Sequence, residues 1–281
     1  MKKKFYVTTA IDYVNARPHI GHSYQKVLAD VLARWHKQAG EDVFFLTGTD
    51  EHGQKLADAA KEAGVSPKKF VDKMSKYFKL AWEKLDIECD RFIRTTDKDH
   101  EAAARKFAEL LHKKGDIYLG KYEGLYCRRC ERYYTEKDLE NDRCPTHNIK
   151  PETVSEPCYF FKLSRYQDAL LDLYEQRKRF VLPAARFNEI KNRIEGGLKD
   201  LAVSRTSIKW GIPFPIGKGH VTYVWFEALL NYITGIGWPA KKFNKYWPAD
   251  IHLLGKDNNW FHSVIWPAIL LAAGIEPPKT V

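Results

Sequence analysis

Two groups of side chains in this chain have the types and spacing to do chemistry. His19 and His22 flank Gly21 just after a β-branched and aromatic run, Tyr6-Val7-Thr8-Thr9, and a proline at 18. Histidines at a helix start lie where unpaired backbone N–H groups and the positive helix end favour a phosphate. Gly21 would let a flat base or a ligand backbone come close. The second group is Cys127, Cys130, Cys144 and His147, with two residues between the members of each pair. That is knuckle spacing, and a tetrahedral Cys3His set forms a closed structural zinc site that supplies folding energy to a segment with little core. Four protein ligands leave no open coordination position, which argues against a catalytic metal. Cys89 and Cys158 fall outside the spacing and are expected to be buried small hydrophobes.

The elements that must position these groups are legible in outline. Tyr6 to Thr9 suit a strand, Asp12, Asn15 and Pro18 punctuate a loop, and Pro18 suits the first turn of a helix. Val27, Leu28, Val31, Leu32 and Trp35 recur at helical spacing, and Gly40 is a plausible stop. Val43 to Leu46 reads as a buried strand, so the opening is strand, helix, strand, a parallel crossover. That strand runs into Thr47-Gly48-Thr49-Asp50-Glu51-His52-Gly53, gathering polar groups at the carboxyl edge where open α/β sheets bind ligands. Ser66-Pro67 opens another helix with Val71, Met74, Phe78, Ala81 and Leu85 on one face. From Gly115 to about Cys158 short strands and turns replace helices. His220 to Tyr232 turns a strand into a helix, and His252 to Asp257 is a further strand end, followed by a helix at Phe261-His262.

With 281 residues and 44% hydrophobic composition the chain can bury a sizeable core. Its formal charge of +10 suits a polyanionic partner. Met1-Lys2-Lys3-Lys4 imitates the start of a signal peptide, but Asp12, Asn15 and Arg17 follow and no long apolar stretch does. No run is apolar enough to span a membrane, and the cysteine usage fits a reduced compartment. A cytoplasmic protein is expected, with no membrane partner.

His19-Ile20-Gly21-His22 after a strand resembles the first signature of class I aminoacyl-tRNA synthetases. The flanking words TTAIDYVNARPHIGH and FFLTGTDEHGQK resemble the methionyl-tRNA synthetase family in particular. The resemblance implies an α/β fold, a Rossmann-type parallel-sheet nucleotide-binding domain with an inserted zinc-knuckle connective-peptide domain. It places the first half of the catalytic domain at 1–115, the insertion at 116–200 with its knuckle at about 125–150, and the second half at 201–281. His19 and His22 would be catalytic, and together with Gly21, Arg205, Gly255 and Asp257 they would bind ATP. Ile11, Tyr13, Asp50, Trp225, Ala228, Leu229, Tyr232 and His262 would bind methionine, with Asp50 on its ammonium group. Glu227 stands where the family more often has Asp, and Asn258 where it usually has Ile.

The resemblance also implies the substrates and partners: methionine, ATP with magnesium, and tRNA(Met), with one structural zinc. Lys73-Met74-Ser75-Lys76 spells most of the second class I signature, KMSKS, but lies mid-helix with Met74 in phase with the apolar stripe, so it reads as helix surface and core. A full-length relative would continue to that signature and to an anticodon-binding domain. The chain alone is therefore expected to activate methionine weakly or not at all unless a second polypeptide supplies the rest. A class I relative for leucine, isoleucine, valine or cysteine, a non-catalytic tRNA- or nucleotide-binding module, and a zinc-stabilised scaffold are the alternative readings.

Overall fold

A computed structural model describes every residue of the chain except Met1, Glu131 and Thr135. The first part runs β1 (Lys4–Thr9), β2 (Asp12–Tyr13), α1 (Ile20–Gln38), β3 (Asp42–Asp50), α2 (Gln54–Glu62), α3 (Pro67–Lys84), β4 (Arg91–Arg94) and α4 (Lys98–Lys113). Next come β5 (Ile117–Cys127), β6 (Arg132–Tyr134), β7 (Glu152–Phe161), α5 (Gln167–Gln176), α6 (Ala184–Glu195) and β8 (Leu201–Ala202). The chain then returns through β9 (Ser204–Arg205), β10 (Val221–Thr222), α7 (Val224–Ala228), α8 (Asn231–Thr234), β11 (Ile251–Leu253) and α9 (Trp266–Ala273).

A parallel sheet in the order β11-β1-β3-β2, with β4 also paired to β3, forms the centre. β1 is buried along nearly its whole length, as a parallel strand covered on both faces should be. Its register sets Val7 beside Ile251 and Phe45, so the carboxyl ends of β1, β3 and β11 open on the same edge. Lys279 N–H donates to Ala249 O (2.8 Å) and His252 N–H to Thr280 O (2.9 Å), laying residues 279–281 along the outer side of β11. A second, antiparallel sheet has the order β6-β5-β7-β8. Its long β5/β7 ladder pairs Ile117 with Phe161 at one end and Tyr126 with Glu152 at the other. Leu170, Tyr174, Phe187, Ile190 and Ile194 of α5 and α6 belong to the same core as Trp266 and Ile269 of α9, so these helices pack on the central fold.

Gly48 shows how tightly β3 and β4 approach. A Cβ there would lie 1.9 Å from the Ile93 carbonyl oxygen, which is main chain and cannot step aside. Gly48→Ala is expected to cost about 3 kcal/mol of stability, read as a lower urea midpoint; a change below about 1 kcal/mol would show that β4 shifts freely.

One expectation needs correction, and one helix presents an unusual face. Pro18 is not in the first helical turn: His19 caps α1, which begins at Ile20, so Pro18 lies just outside it. Most of the apolar stripe of α1 faces outward, with Val27 at 41%, Val31 at 57% and Trp35 at 61% exposure and Leu32 alone half-buried against the core, while Lys26, Ala29, Asp30 and Ala33 face the sheet. Small alanines let the helix approach closely, and the two inward charges are paired. Lys26 Nζ reaches Asp12 Oδ1 (2.5 Å) and the Ala10 carbonyl (3.1 Å), and Asp30 takes Arg34 Nε (2.6 Å) and the Glu88 N–H (3.0 Å). Ionic pairing on the inner face thus overrides the hydrophobic pattern. α3 follows its expected pattern as far as Ala81: Ser66 caps it, Pro67 opens it, and Met74 is buried between exposed Lys73 and Lys76, whereas Leu85 stands just past the helix end at 46% exposure.

Candidate functional site

The signature histidines are organised by the helix they start. His19 Nδ1 accepts the Gly21 N–H (3.1 Å), and His22 Nδ1 accepts the His19 N–H (3.2 Å), which satisfies two donors that a helix end leaves free. An imidazole that accepts through Nδ1 carries its proton on Nε2 when neutral. Both rings therefore keep an Nε2–H donor, and they lie 3.8 Å apart. Burial, then the neighbouring His19 and Lys26, pushes His22 down to about 4, so it is a neutral donor at pH 7. A Cβ on Gly21 would come within 3.0 Å of the His19 ring. What this glycine makes room for here is the folded-back His19 ring. Gln25 Nε2–H donates to the Leu253 carbonyl, tying α1 to the end of β11 (2.5 Å). Gly255 and Asp257 follow that strand end and are exposed, Asp257 within a short 3₁₀ turn.

The expected methionine-side residues gather at the neighbouring strand ends. Asp50 closes β3, buried, and stands in register with Tyr13 of β2. Ile11, Tyr13 and Trp225 pack on the core that contains Leu229 and Tyr232. Ala228 is buried beside Leu229 on α7. Trp225 lies flat on Phe261, with ring centroids 3.7 Å apart and planes 6° apart. The Tyr232 hydroxyl donates to His262 Nε2 (2.6 Å), because His262 Nδ1–H donates to the Asn258 carbonyl (2.9 Å). Burial pushes His262 down to about 4, so this relay is neutral at pH 7. Asn258 is half-buried, and its contribution to the relay is main chain. Behind Tyr232, His252 is stacked at 4.2 Å, accepts Trp266 Nε1–H (3.2 Å), and faces Thr8 Oγ1 (2.6 Å).

Several contacts of consequence had no local signal. Glu227 is fully buried between two histidines: His52 Nδ1 lies 2.9 Å from Oε1 and His100 Nε2 2.9 Å from Oε2. Burial works to raise this carboxyl, and the two imidazoles outweigh it, holding it below the usual carboxylate value. The first turn after β3 is thereby joined to α4 and to the helix that carries Trp225. Glu51, also fully buried, takes Arg94 in a two-pronged bond (2.7 and 2.7 Å) and the Thr96 hydroxyl (2.5 Å). Trp210 Nε1–H donates to the Glu51 carbonyl (2.7 Å). The Asp50-Glu51-His52 word thus combines one carboxylate at the carboxyl edge of β3 with two structural anchors.

Arg205, expected at ATP, is 3% exposed and is engaged with the antiparallel sheet. Its Nε donates to Glu156, its Nη2 reaches Ser207 Oγ (2.9 Å), and its guanidinium lies 4.1 Å over the Tyr126 ring. Glu156 stands on β7 and Tyr126 on β5, so these bonds draw the guanidinium toward the antiparallel sheet.

The metal set converges. Donor atoms of Cys127, Cys130, Cys144 and His147 all lie within 4.8 Å of one another. Cys130 and Cys144 sulfurs are 3.6 Å apart, and His147 Nδ1 is 3.9 Å from Cys144 and 4.0 Å from Cys127. Tetrahedral zinc with Zn–S near 2.3 Å sets ligand atoms about 3.7 Å apart, so the set fits one structural zinc. Cys89 is only half-buried, whereas Cys158 is fully buried with its thiol on the Ser204 carbonyl (2.8 Å), as a small core residue. The knuckle's apolar neighbourhood is small, just Cys127, Tyr134 and Cys144 with a few half-buried neighbours. Stripping the metal with a chelator is therefore expected to speed amide exchange about a hundredfold or more in 125–150, while β1 and β3 stay protected. Uniform protection after chelation would mean that the hairpin stands without metal.

Among the described residues no helix is long and apolar enough to cross a membrane. The family model described as tRNA synthetases class I (M) matches residues 5–150 and 134–281. The methionine–tRNA ligase of Caldanaerobacter subterraneus is 50% identical over 284 aligned residues, which cover 100% of this chain and 44% of that protein. That of Thermotoga maritima is 49% identical over 99% of this chain and 45% of its own length. The chain thus spans about half the length of these relatives. Among solved structures, Mycobacterium tuberculosis methionyl-tRNA synthetase in complex with methionyl-adenylate superposes with a TM-score of 0.96 at 45% identity, covering 99% of this chain and 56% of that one. The apo form of that enzyme superposes at 0.86.

Proposed function

The chain belongs to the class I tRNA synthetases of the methionyl family, and on that premise we propose that it binds methionine and ATP and joins them as methionyl-adenylate for transfer to tRNA(Met). A methionine carboxylate oxygen attacks the α-phosphorus of ATP, the bond from that phosphorus to the β-phosphate's bridging oxygen breaks, and pyrophosphate leaves. A terminal ribose hydroxyl of the tRNA then attacks the adenylate carbonyl, and AMP leaves. The observation that carries this reading is the convergence of the His19/His22 helix start, Asp50 and the Trp225–Tyr232–His262 wall on the carboxyl ends of β1, β3 and β11.

In this reading the two Nε2–H donors meet the phosphate oxygens as charge moves onto them, a stabilisation that often dominates such reactions. Gly21, Gly255 and Asp257 border the nucleotide. Asp50 holds the ammonium group by a charge-assisted bond. Ile11, Tyr13, Trp225, Ala228, Leu229, Tyr232 and His262 enclose the thioether, and aromatic faces suit sulfur. The neutral Tyr232–His262 relay supports this, since it offers no charge to an uncharged side chain. The burial of Arg205 against Glu156 supports a role in holding β9 to the insertion rather than a phosphate contact. The knuckle residues would hold one zinc, which supplies folding energy to the insertion. The division at about 115 and 200 and a cytoplasmic setting belong to the same proposal.

The only stretch resembling the second signature, Lys73 to Lys76, is spent inside α3. Assayed as these 281 residues, the chain should therefore activate methionine weakly. The test is methionine binding by calorimetry together with methionine-dependent ATP–pyrophosphate exchange, with leucine, isoleucine, valine and cysteine as controls. Binding of methionine alone, with slow exchange, supports the reading. Exchange driven by one of the other amino acids, or no methionine binding by the folded zinc-loaded chain, sinks it.

A further inference from the structure

Between the loop that leads into α1 and the flank of α3 lies a cavity of about 350 Å³ that includes Arg17, Lys69, Phe70, Lys73, Met74 and Tyr77 in its walls. We propose that this cavity binds single-stranded RNA, with a backbone phosphate on Arg17, Lys69 and Lys73 and a base laid against the rings of Phe70 and Tyr77. The proposal rests on the function argued above, and gives the nucleic acid a place to run.

Three exposed cations share one concavity, and none of them is in a salt bridge among the described residues. Asp72, the nearest carboxylate in sequence, is taken by Lys68 and Arg94. Like charges gathered without a counterion repel, and an anion in their midst removes that cost. The rest of the wall is unsuited to a bare phosphate. Met74 is buried, Phe70 and Tyr77 are half-buried, and the Arg17 guanidinium lies 4.6 Å over the Tyr77 ring. Cations around aromatic faces are the combination that holds single strands, since every base has a flat face and every nucleotide a phosphate. Arg17 stands two residues before His19, the cap of α1, so a strand seated here would end near the signature histidines. Lys73 and Met74, which resemble a catalytic signature in sequence, have a use here that does not require them to be one.

The test measures fluorescence anisotropy of a labelled six-nucleotide RNA ending in CCA over a range of salt. It compares the chain with Lys69→Ala/Lys73→Ala and with Lys241→Ala/Lys242→Ala, which removes the same charge elsewhere. The proposal expects the cavity variant to bind about tenfold or more weakly and its salt slope to fall by about 0.7 for each phosphate that no longer has a cation beside it. The remote variant should stay within about twofold of the parent, and both should bind methionine unchanged. Equal weakening in the two variants, or displacement of the RNA by a polyglutamate peptide of equal charge, overturns the site. So does a chain that binds methionine but no RNA. RNA held at the cavity by a chain that ignores methionine keeps the site and overturns the function it was attached to; a chain that binds neither overturns both.

Discussion

Glu227→Ala will lower the stability of this chain by about 4 kcal/mol. The carboxylate is fully buried, and with it ionised both His52 Nδ1–H and His100 Nε2–H donate to it. His100 Nδ1 is then left to accept from the Thr234 hydroxyl (2.8 Å). Alanine would strand two buried ring donors and leave a cavity, and removing one partner from a buried charged set costs about 3–5 kcal/mol. Glu227→Gln keeps the shape and one acceptor, so it should cost roughly half as much. Urea unfolding of the two variants decides the matter: a glutamine variant as unstable as the alanine one would mean that shape, not charge, is what the two imidazoles need. Because Glu227 and Trp225 share α7, the glutamine variant is also expected to bind methionine several-fold more weakly.

Acidification will lower the stability of the chain from about pH 6.5 downward, before most carboxylates titrate. His262 and His252 are fully buried and neutral, and burial holds His262 at about 4 and His252 well below its ordinary value. A histidine with a folded pKa below its unfolded one binds its proton more tightly in the unfolded chain. Its contribution is thus complete above pH 6.5 and is lost as pH falls toward 4. The drop from 6.5 to about 4 at His262 is worth about 3 kcal/mol. Each such group adds a slope of about 1.4 kcal/mol per pH unit in that window. Glu227, held low, has the same sign in a lower range: its contribution is present above its ordinary 4.5 and goes as pH falls further. His262→Gln should flatten the stability curve between pH 6.5 and 4 by about one proton. An unchanged slope would show that His262 is not the group taken up on unfolding.

The parallel pairing of β1 with β3 and the two reactive groups were legible because they rest on local pattern. β-branched runs gave β1 and β3, Ser66-Pro67 announced α3, and paired spacing drew Cys127, Cys130, Cys144 and His147 together. The inward face of α1 was not legible, because hydrophobic periodicity has no way to register that Lys26 finds Asp12 fourteen residues back. His100 and Glu227 are 127 residues apart in the chain, and no neighbourhood of either hints at the other. Glu227 was noticed only as a departure from its family. The structure gives the longer carboxylate a span between two histidines. Arg205 drew attention by position in a family word, whereas its partner Glu156 lies on a different strand.

The outward stripe of α1 bears on how the isolated chain behaves in a test tube. Ile20, Tyr24, Val31 and Trp35 form an oily seam along one side of a molecule whose formal charge is +10. At low ionic strength mutual repulsion keeps such molecules apart over about 10–30 Å, and at 1 M salt the range shrinks to about 3 Å. Adding salt should then turn a clear solution cloudy, the reverse of what a purely charged surface would do, and Trp35→Glu should restore clarity.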